Sequence, residues 1–157
     1  MSELPITNQY EKLQQFLGEQ KWKDADQITT QILLAVAQRE KQKYLDDEAV
    51  ENLSCEDLCI IDNLWLTYSN HKFGFSVQLS VYKELVATGR YNSNMKLLTA
   101  FDSRLDWDRG GVLRFVEGYP DGILYNISAR KGHLPYSAWK KILTQKIFLS
   151  RLEACNL

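Results

Sequence analysis

The stretch DLCIIDNLWLTYSNHKFGFSVQ, residues 57–78, decides how the rest of the chain must fold. In its first half, apolar residues recur every three or four positions, which places them on one face of an α-helix. Ser54 is a suitable N-cap for this helix, and Asn70 can take the left-handed conformation that ends one. In the second half, FGFSVQ, two phenylalanines flank a glycine that allows close approach of the backbone. The stretch therefore predicts a central helix whose end is held in the core by aromatic rings.

Helical periodicity also precedes this stretch. Asn8 can cap a first helix that stops at Gly18, and a second helix is predicted over residues 23–43. Because only a short turn separates them, residues 8–43 should form an opening helical hairpin.

The core is predicted over residues 46–155. It begins with a short helix capped by Asp46 or Asp47, and Asn92-Ser93-Asn94 supplies a further cap. The helical segments predicted after the central helix cover residues 77–85, 95–101 and 136–155.

A short region between these helices favours β structure. Residues 112–117 and 123–128 are β-leaning, and Tyr119-Pro120-Asp121-Gly122 between them has turn chemistry. The predicted fold is therefore mainly α, a single multihelical domain over residues 1–157 with at most a small β-hairpin.

Length and composition limit the classes of function. A chain of 157 residues is normally one domain, and 45% hydrophobic with 25% charged residues is typical of a soluble globular protein. The net charge of −1 gives no general attraction for nucleic acid. No apolar run approaches the roughly 20 residues that a membrane span needs, and the N-terminus lacks the pattern of a signal peptide. We expect the cytoplasm, or the plastid stroma if a transit peptide has been removed.

The chain has three cysteines, Cys55, Cys59 and Cys155. An odd count without paired spacing favours a reducing compartment. Cys55 and Cys59 lie one helical turn apart, but the chain offers few other soft ligands for a metal, so two buried structural thiols are the prediction.

Sequence motifs for catalysis are absent. The chain contains no HExxH, CxxC pair, P-loop, GxSxG or GxGxxG pattern. This absence favours a non-enzymatic function, although a catalytic group can also assemble from separate segments.

The last third of the chain concentrates positive charge. Between residues 130 and 151 there are no acidic residues, and the cations alternate with aliphatic and aromatic side chains: Arg130, Lys131, Lys140, Lys141, Lys146 and Arg151. A flat apolar macrocycle with two propionates would suit such a surface. A solvated basic helix face fits the same pattern, and so does a small site for a phosphate or an RNA backbone.

Three segments together carry a resemblance. These are CEDLCIIDNLWLTYSNHKFGFSVQ (residues 55–78), the opening segment of residues 20–45 and SARKGHLP (residues 128–135). They resemble, in the same order, the genomes-uncoupled four family, porphyrin-binding proteins that stimulate magnesium chelatase in chlorophyll synthesis. The resemblance implies an almost entirely helical domain, shaped like a cupped hand with an apolar palm for the porphyrin.

Carried over by position, the resemblance implies nine ligand-binding residues, and no metal site is assigned. Phe73 and Phe75 belong either to the palm or to the buried scaffold, and His133 either binds a metal axially or shapes its loop by hydrogen bonds. Where the family often has arginine after the GHLP loop, this chain has lysine, which lacks the bidentate fork. The full set is Phe73, Phe75, Val77, His133, Leu134, Pro135, Trp139, Lys140 and Lys141.

The resemblance thus implies a non-enzymatic tetrapyrrole-binding protein from an oxygenic phototroph. Its ligand would be protoporphyrin IX or Mg-protoporphyrin IX, or alternatively a bilin, and its partner the large subunit of magnesium chelatase. The alternatives from another class are a signalling or adaptor domain that binds a protein on its concave face, and a small nucleic-acid binder.

Overall fold

The computed structural model describes residues 5–108 and 122–157. In these residues the chain forms seven α-helices and no β-strand, so the predicted mainly α fold is confirmed. The helices are α1 (Ile6–Gly18), α2 (Trp22–Val36), α3 (Asp47–Glu51), α4 (Cys55–Tyr68), α5 (Phe75–Ala87), α6 (Asn94–Arg104) and α7 (Gln145–Ala154). Within the described ranges, these helices are too short or too polar to span a bilayer.

The opening hairpin forms and α1 ends at Gly18 as predicted, but α1 begins earlier and α2 ends earlier than predicted. Helix α1 starts at Ile6 after Pro5, and its N-terminus has no side-chain cap, so the predicted cap at Asn8 is wrong. Helix α2 ends at Val36 because Gln38 takes a left-handed conformation with φ 56°. Residues 37–46 therefore leave the helix and turn toward the C-terminal part of the chain.

The central helix α4 follows the sequence closely. The Ser54 hydroxyl accepts a hydrogen bond from the Asp57 N–H at 3.2 Å, and Asn70 is left-handed with φ 53°. Trp65 on this helix is fully buried and donates its indole N–H to the Thr29 hydroxyl at 3.0 Å. These contacts confirm the predicted cap and end of α4 and fix its position against α2.

Other helix boundaries were also predicted correctly. Asp46 caps α3 by accepting the Ala49 N–H, and Ser93 caps α6 by accepting the Lys96 N–H. Just after α5, Gly89 takes a left-handed conformation with φ +64°, which suits the end of a helix.

The predicted hairpin strand over residues 123–128 does not form, because these residues adopt irregular and turn conformations. The partner strand predicted over residues 112–117 lies outside the described residues. The backbone of this region forms hydrogen bonds to side chains instead. The Leu124 N–H, for example, donates to the His133 ring at 3.0 Å.

The helix predicted over residues 136–155 is interrupted. Trp139–Lys141 forms a 3-10 turn, and helix α7 begins only at Gln145. Between them, Ile142 pairs with Leu45 in a parallel bridge: the Leu45 N–H donates to the Lys141 carbonyl at 2.7 Å, and Leu45 accepts the Leu143 N–H at 3.0 Å. Because these backbone groups bond to residue 45, they cannot take part in a continuous helix.

The cysteines correct a prediction. Cys55 and Cys155 form a disulfide with a Cα–Cα distance of 5.2 Å, and Cys59 is the free, half-buried thiol. The expectation of two buried thiols is therefore wrong for Cys55, which is oxidised, and Cys59 is a free thiol that is only half-buried. The paired residues are 100 positions apart, so their spacing in the sequence carried no sign of the contact.

Candidate functional site

The two motif segments that the sequence singled out meet in the core. The Gly74 N–H donates to the Leu134 carbonyl at 3.1 Å, and the Gly132 N–H donates to the Lys72 carbonyl at 2.9 Å. We call residues 73–78 together with residues 132–139 the motif core. The segments, more than 50 residues apart in sequence, are therefore joined through their backbones.

Gln78 is the centre of the motif core. Its fully buried amide donates to the carbonyls of Gly132 at 3.0 Å and Pro135 at 2.8 Å, and accepts the indole N–H of Trp139 at 2.9 Å. A buried amide is stabilising only when its donors and acceptors are paired, as they are here. The sequence analysis did not select Gln78. Its place three residues after the buried Phe75, on the inward side of α5, was the available signal.

Gly74 is required by this packing. Its φ is +139°, and a Cβ atom at this position would lie 2.7 Å from Asp62 Oδ1. That oxygen accepts the Ser76 N–H at 2.8 Å, which caps the first turn of α5. Glycine between the two phenylalanines thus makes room for a carboxylate that holds the helix N-terminus.

A second carboxylate anchors the loop that follows. Asp26 on α2 is fully buried and accepts the N–H groups of Tyr136 at 2.7 Å and Ser137 at 3.0 Å. Burial raises the pKa of Asp26 to about 6, and the hydrogen bonds from Ser137 and Tyr136 offset part of that rise. Asp26 therefore fixes the start of the segment that leads to Lys141.

The predicted site residues divide into two groups. Phe73, Phe75, Val77, His133, Leu134, Pro135 and Trp139 are buried, whereas Lys140 and Lys141 are exposed. Phe73 packs edge-on against Trp22 at 5.5 Å between centroids, and Phe75 against Phe148 at 5.2 Å. Trp139, 4% exposed, packs on the same Phe148 ring at 4.8 Å. Phe75 and Trp139 therefore pack on the same ring of α7, whereas Phe73 packs on the first residue of α2.

His133 uses both ring nitrogens inside the fold. Its Nε2 accepts the Leu124 N–H at 3.0 Å, which leaves Nδ1–H to donate to the Leu105 carbonyl at 2.7 Å. Burial lowers the pKa of His133, so the neutral form is favoured. Neither nitrogen can bind a metal without losing one of these bonds. In the described parts of the chain, no three His, Cys, Asp or Glu side chains are grouped to hold a metal ion.

A cavity in the described part of the chain lies beside the motif core. Its volume is about 930 Å³, and it is bounded by α1, α2, the start of α4 and the 139–141 turn. Its lining residues in the described chain are Ile6, Gln9, Lys12, Gln27, Ile28, Thr30, Gln31, Leu34, Ala35, Val36, Glu40, Lys43, Asp57, Ser137 and Lys141.

Of the residues indicated by the sequence, Lys141 lines this cavity together with two further lysines, Lys12 and Lys43. We call these three lysines the cavity rim. All three are exposed, and within residues 5–108 and 122–157 none forms an ion pair. Lys140, the neighbour of Lys141, instead lies over the Tyr136 ring at 5.0 Å.

The chemistry of the cavity is mixed. Ile28, Leu34 and Val36 of α2 give it an apolar wall, whereas Glu40 and Asp57 are the acidic groups near the rim. The sequence analysis missed this wall. Its signal was the run Leu33 to Ala37, which carries apolar residues beyond the face that α2 buries. A volume of this size is within the range of small-molecule sites, and apolar walls with a few cations suit a flat apolar anion.

Comparison with known sequences decides the family. The profile of the family described as GUN4-like matches residues 5–151. This chain belongs to the GUN4-like family. The resemblance drawn from the sequence motifs is thereby confirmed.

The relatives come from photosynthetic organisms. A Ycf53-like protein of Synechocystis is 34% identical over 128 residues, which are 80% of this chain and 50% of that protein. The tetrapyrrole-binding protein, chloroplastic, of Arabidopsis thaliana is 28% identical over 134 residues, 80% of this chain and 47% of that protein. The chain thus spans about half the length of the curated relatives that it matches.

Solved structures show the same fold. The ligand-free structure of Arabidopsis thaliana GUN4 matches with a TM-score of 0.68 at 24% identity, covering 97% of this chain and 93% of that one. GUN4 of Chlamydomonas reinhardtii matches with a TM-score of 0.67 at 24% identity, covering 98% and 90%. At this level of identity the structural likeness concerns the fold.

Proposed function

We propose that this chain is a non-enzymatic tetrapyrrole-binding protein that holds its pigment in the cavity between α1, α2 and the 139–141 turn. The observation that carries the proposal is a cavity of about 930 Å³ with an apolar wall and a lysine rim. It occurs in a member of a family whose Arabidopsis relative is named a tetrapyrrole-binding protein.

The cavity suits the two parts of a tetrapyrrole. The α2 side chains Ile28, Leu34 and Val36 would contact the apolar face of the macrocycle, and burial of that face supplies most of the affinity. The cavity rim would meet the propionates. Because its lysines are exposed, each contact would orient the pigment more than it would add affinity.

The pigments that we propose are protoporphyrin IX and Mg-protoporphyrin IX, with a bilin as the alternative. All carry free carboxylates, which is the feature that the cavity rim would recognise. His133 has no role as an axial ligand in this proposal, because both its ring nitrogens bond to the backbone.

We place the pigment-loaded chain in chlorophyll synthesis, where it would present porphyrin to the large subunit of magnesium chelatase. The compartment would be the cytoplasm of a phototroph or a plastid stroma; the Arabidopsis relative is named as chloroplastic. The assay is the rate of magnesium insertion into protoporphyrin IX by purified chelatase with and without the chain. An unchanged rate across the range that saturates pigment binding would remove this partner and leave pigment binding in place.

Pigment binding is tested by titration. Protoporphyrin IX, Mg-protoporphyrin IX and biliverdin are each added to the protein while the Soret or bilin absorbance and tryptophan fluorescence are recorded. We expect saturable binding of at least one pigment with a micromolar or tighter Kd, about −8 kcal/mol. The dimethyl ester of the same pigment is the control, and it should bind more weakly because it cannot pair with the cavity rim.

If no pigment binds below about 100 μM, roughly −5.5 kcal/mol, the proposal fails and an adaptor domain that binds a protein partner takes its place. If the free acid and its ester bind equally well, the apolar wall is supported and the role of the lysines is not.

A further inference from the structure

The disulfide links two helices, each of which is connected to a residue that lines the cavity. Cys55 is the first residue of α4, and Cys155 directly follows α7. Cys55 is partly exposed, whereas Cys155 is 8% exposed, so Cys55 is the more accessible of the pair. Cys55 is therefore the residue of the pair at which we expect a reductant to attack.

On α4, the disulfide residue Cys55 lies two positions before Asp57, a residue that lines the cavity. Asp57 lines the cavity and accepts a hydrogen bond from the hydroxyl of Tyr10 on α1. The first turn of α4, which carries both Cys55 and Asp57, therefore helps to hold α1 at the cavity wall. A shift of that turn would move the wall.

On the α7 side, two aromatic rings connect the helix to the cavity. Phe148 of α7 packs on Trp139 at 4.8 Å, and Trp139 begins the 3-10 turn that ends at Lys141. Lys141 lines the cavity and is part of its rim. A shift of α7 should therefore move the 139–141 turn and with it Lys141.

A second contact, which does not involve the disulfide, joins α7 to the residues just before α4. The Arg151 guanidinium of α7 donates two hydrogen bonds, at 3.0 and 2.7 Å, to the Leu53 carbonyl just before α4. With these bonds and the buried α7 side chains in place, reduction should loosen the junction without unfolding the chain.

We propose that the Cys55–Cys155 disulfide regulates pigment affinity and that a dithiol reductant opens it in the folded protein. The proposal rests on the proposed function, since the regulated site is the pigment cavity. One thiolate of the reductant attacks the Cys55 sulfur and releases the Cys155 thiolate, which takes up a proton. The second thiol then resolves the mixed disulfide, so that the reductant is oxidised to a disulfide and the protein gains two thiols.

The experiment compares pigment affinity in the two redox states. Protoporphyrin IX is titrated into the wild-type protein with and without dithiothreitol, and thiols are counted by alkylation and mass spectrometry. Three variants accompany it: Cys155→Ser, the double variant Cys55→Ser with Cys155→Ser, and Cys59→Ser as the matched control on the same helix. Far-ultraviolet circular dichroism reports the helix content of every sample.

We expect one alkylated thiol in the untreated protein and three after reduction, with affinity about fivefold or more weaker in the reduced state. Cys155→Ser and the double variant should bind like the reduced protein and should not respond to dithiothreitol. Cys59→Ser should behave like the wild type.

Equal affinity in the two states would overturn this inference and leave the proposed function standing, and so would three free thiols before reduction. Loss of the helical signal on reduction would also overturn it, because the disulfide would then only maintain the fold. Absence of pigment binding in both states would remove the inference and the proposed function together.

Discussion

The motif core and the cavity rim are neighbours with opposite characters. In the motif core, Gln78 satisfies two carbonyls and the indole of Trp139 away from solvent. At the cavity rim, Lys141 extends into solvent beside an apolar wall. In our proposal the buried motif core supports the fold, and the pigment occupies the cavity beside it. Substitutions can separate these two roles. A change in the motif core should lower the free energy of unfolding, whereas a change at the cavity rim should lower pigment affinity only.

The largest effect is expected at Trp139. Trp139→Ala removes a ring that packs on Phe148 and leaves the Gln78 amide oxygen without its donor, so it should lower the free energy of unfolding by about 3–5 kcal/mol. Urea denaturation followed by circular dichroism measures the change.

Leu143→Ala is the control, since Leu143 is 65% exposed and its truncation should change stability by less than about 0.5 kcal/mol. A Trp139→Ala protein that keeps wild-type stability but loses pigment affinity would contradict the structural role that we give to Trp139.

The next largest effect depends on pH and concerns Asp26. Its pKa of about 6 lies above that of an unfolded aspartate, so its protonated form is favoured by folding. The stability that this proton contributes is present below about pH 4 and is lost as pH rises through 6. Asp26→Asn cannot titrate. Its stability relative to the wild type should therefore improve from pH 4 to 7, by up to about 3 kcal/mol. Urea denaturation of both proteins across this range measures the difference.

His133 has the opposite effect on the pH dependence of stability, and it does so in the wild type and in Asp26→Asn alike. Burial lowers its pKa, so its contribution is lost as pH falls below the ordinary histidine value of about 6.5. The difference between Asp26→Asn and wild type removes this shared term. A difference that stays constant from pH 4 to 7 would mean that Asp26 does not titrate in this range.

The smallest effect is expected at the cavity rim. Lys141→Ala should leave stability unchanged and weaken pigment binding by about 0.5–1 kcal/mol at low salt, with the loss fading as salt is raised. Lys140→Ala is the matched control, because the neighbouring lysine lies over Tyr136 and does not line the cavity. Equal losses in the two variants at every salt concentration would remove the distinction between them.

Local signals predicted much of the fold. The caps at Asp46, Ser54 and Ser93 and the end of α4 at Asn70 depend on a few adjacent residues, and the sequence indicated them correctly. The break before α7 could not be predicted in this way, because it results from a bridge to Leu45 almost 100 residues earlier. The disulfide was missed for the same reason.

The residues that line the candidate cavity were harder to predict than the helices. Position in the motifs selected nine residues, and Lys141 is the one among them that lines the described cavity. The lysines that join it, Lys12 and Lys43, come from α1 and from the segment after α2, and only the fold brings them together. Sequence motifs therefore indicate buried residues with fixed packing partners, such as Gly74. They indicate exposed residues around a cavity less well.

The most direct test of the central claim is the protoporphyrin IX affinity of an Ala35→Phe variant, measured by Soret absorbance. Ala35 lines the cavity and is only partly buried, so the larger side chain should fill the pigment space with little effect on folding. Ala87→Phe, at the exposed end of α5, is the control for added apolar surface. We predict at least about a tenfold loss of affinity, about 1.4 kcal/mol, for Ala35→Phe and none for Ala87→Phe at equal stability. Wild-type affinity in a folded Ala35→Phe protein would contradict the claim that the pigment occupies this cavity.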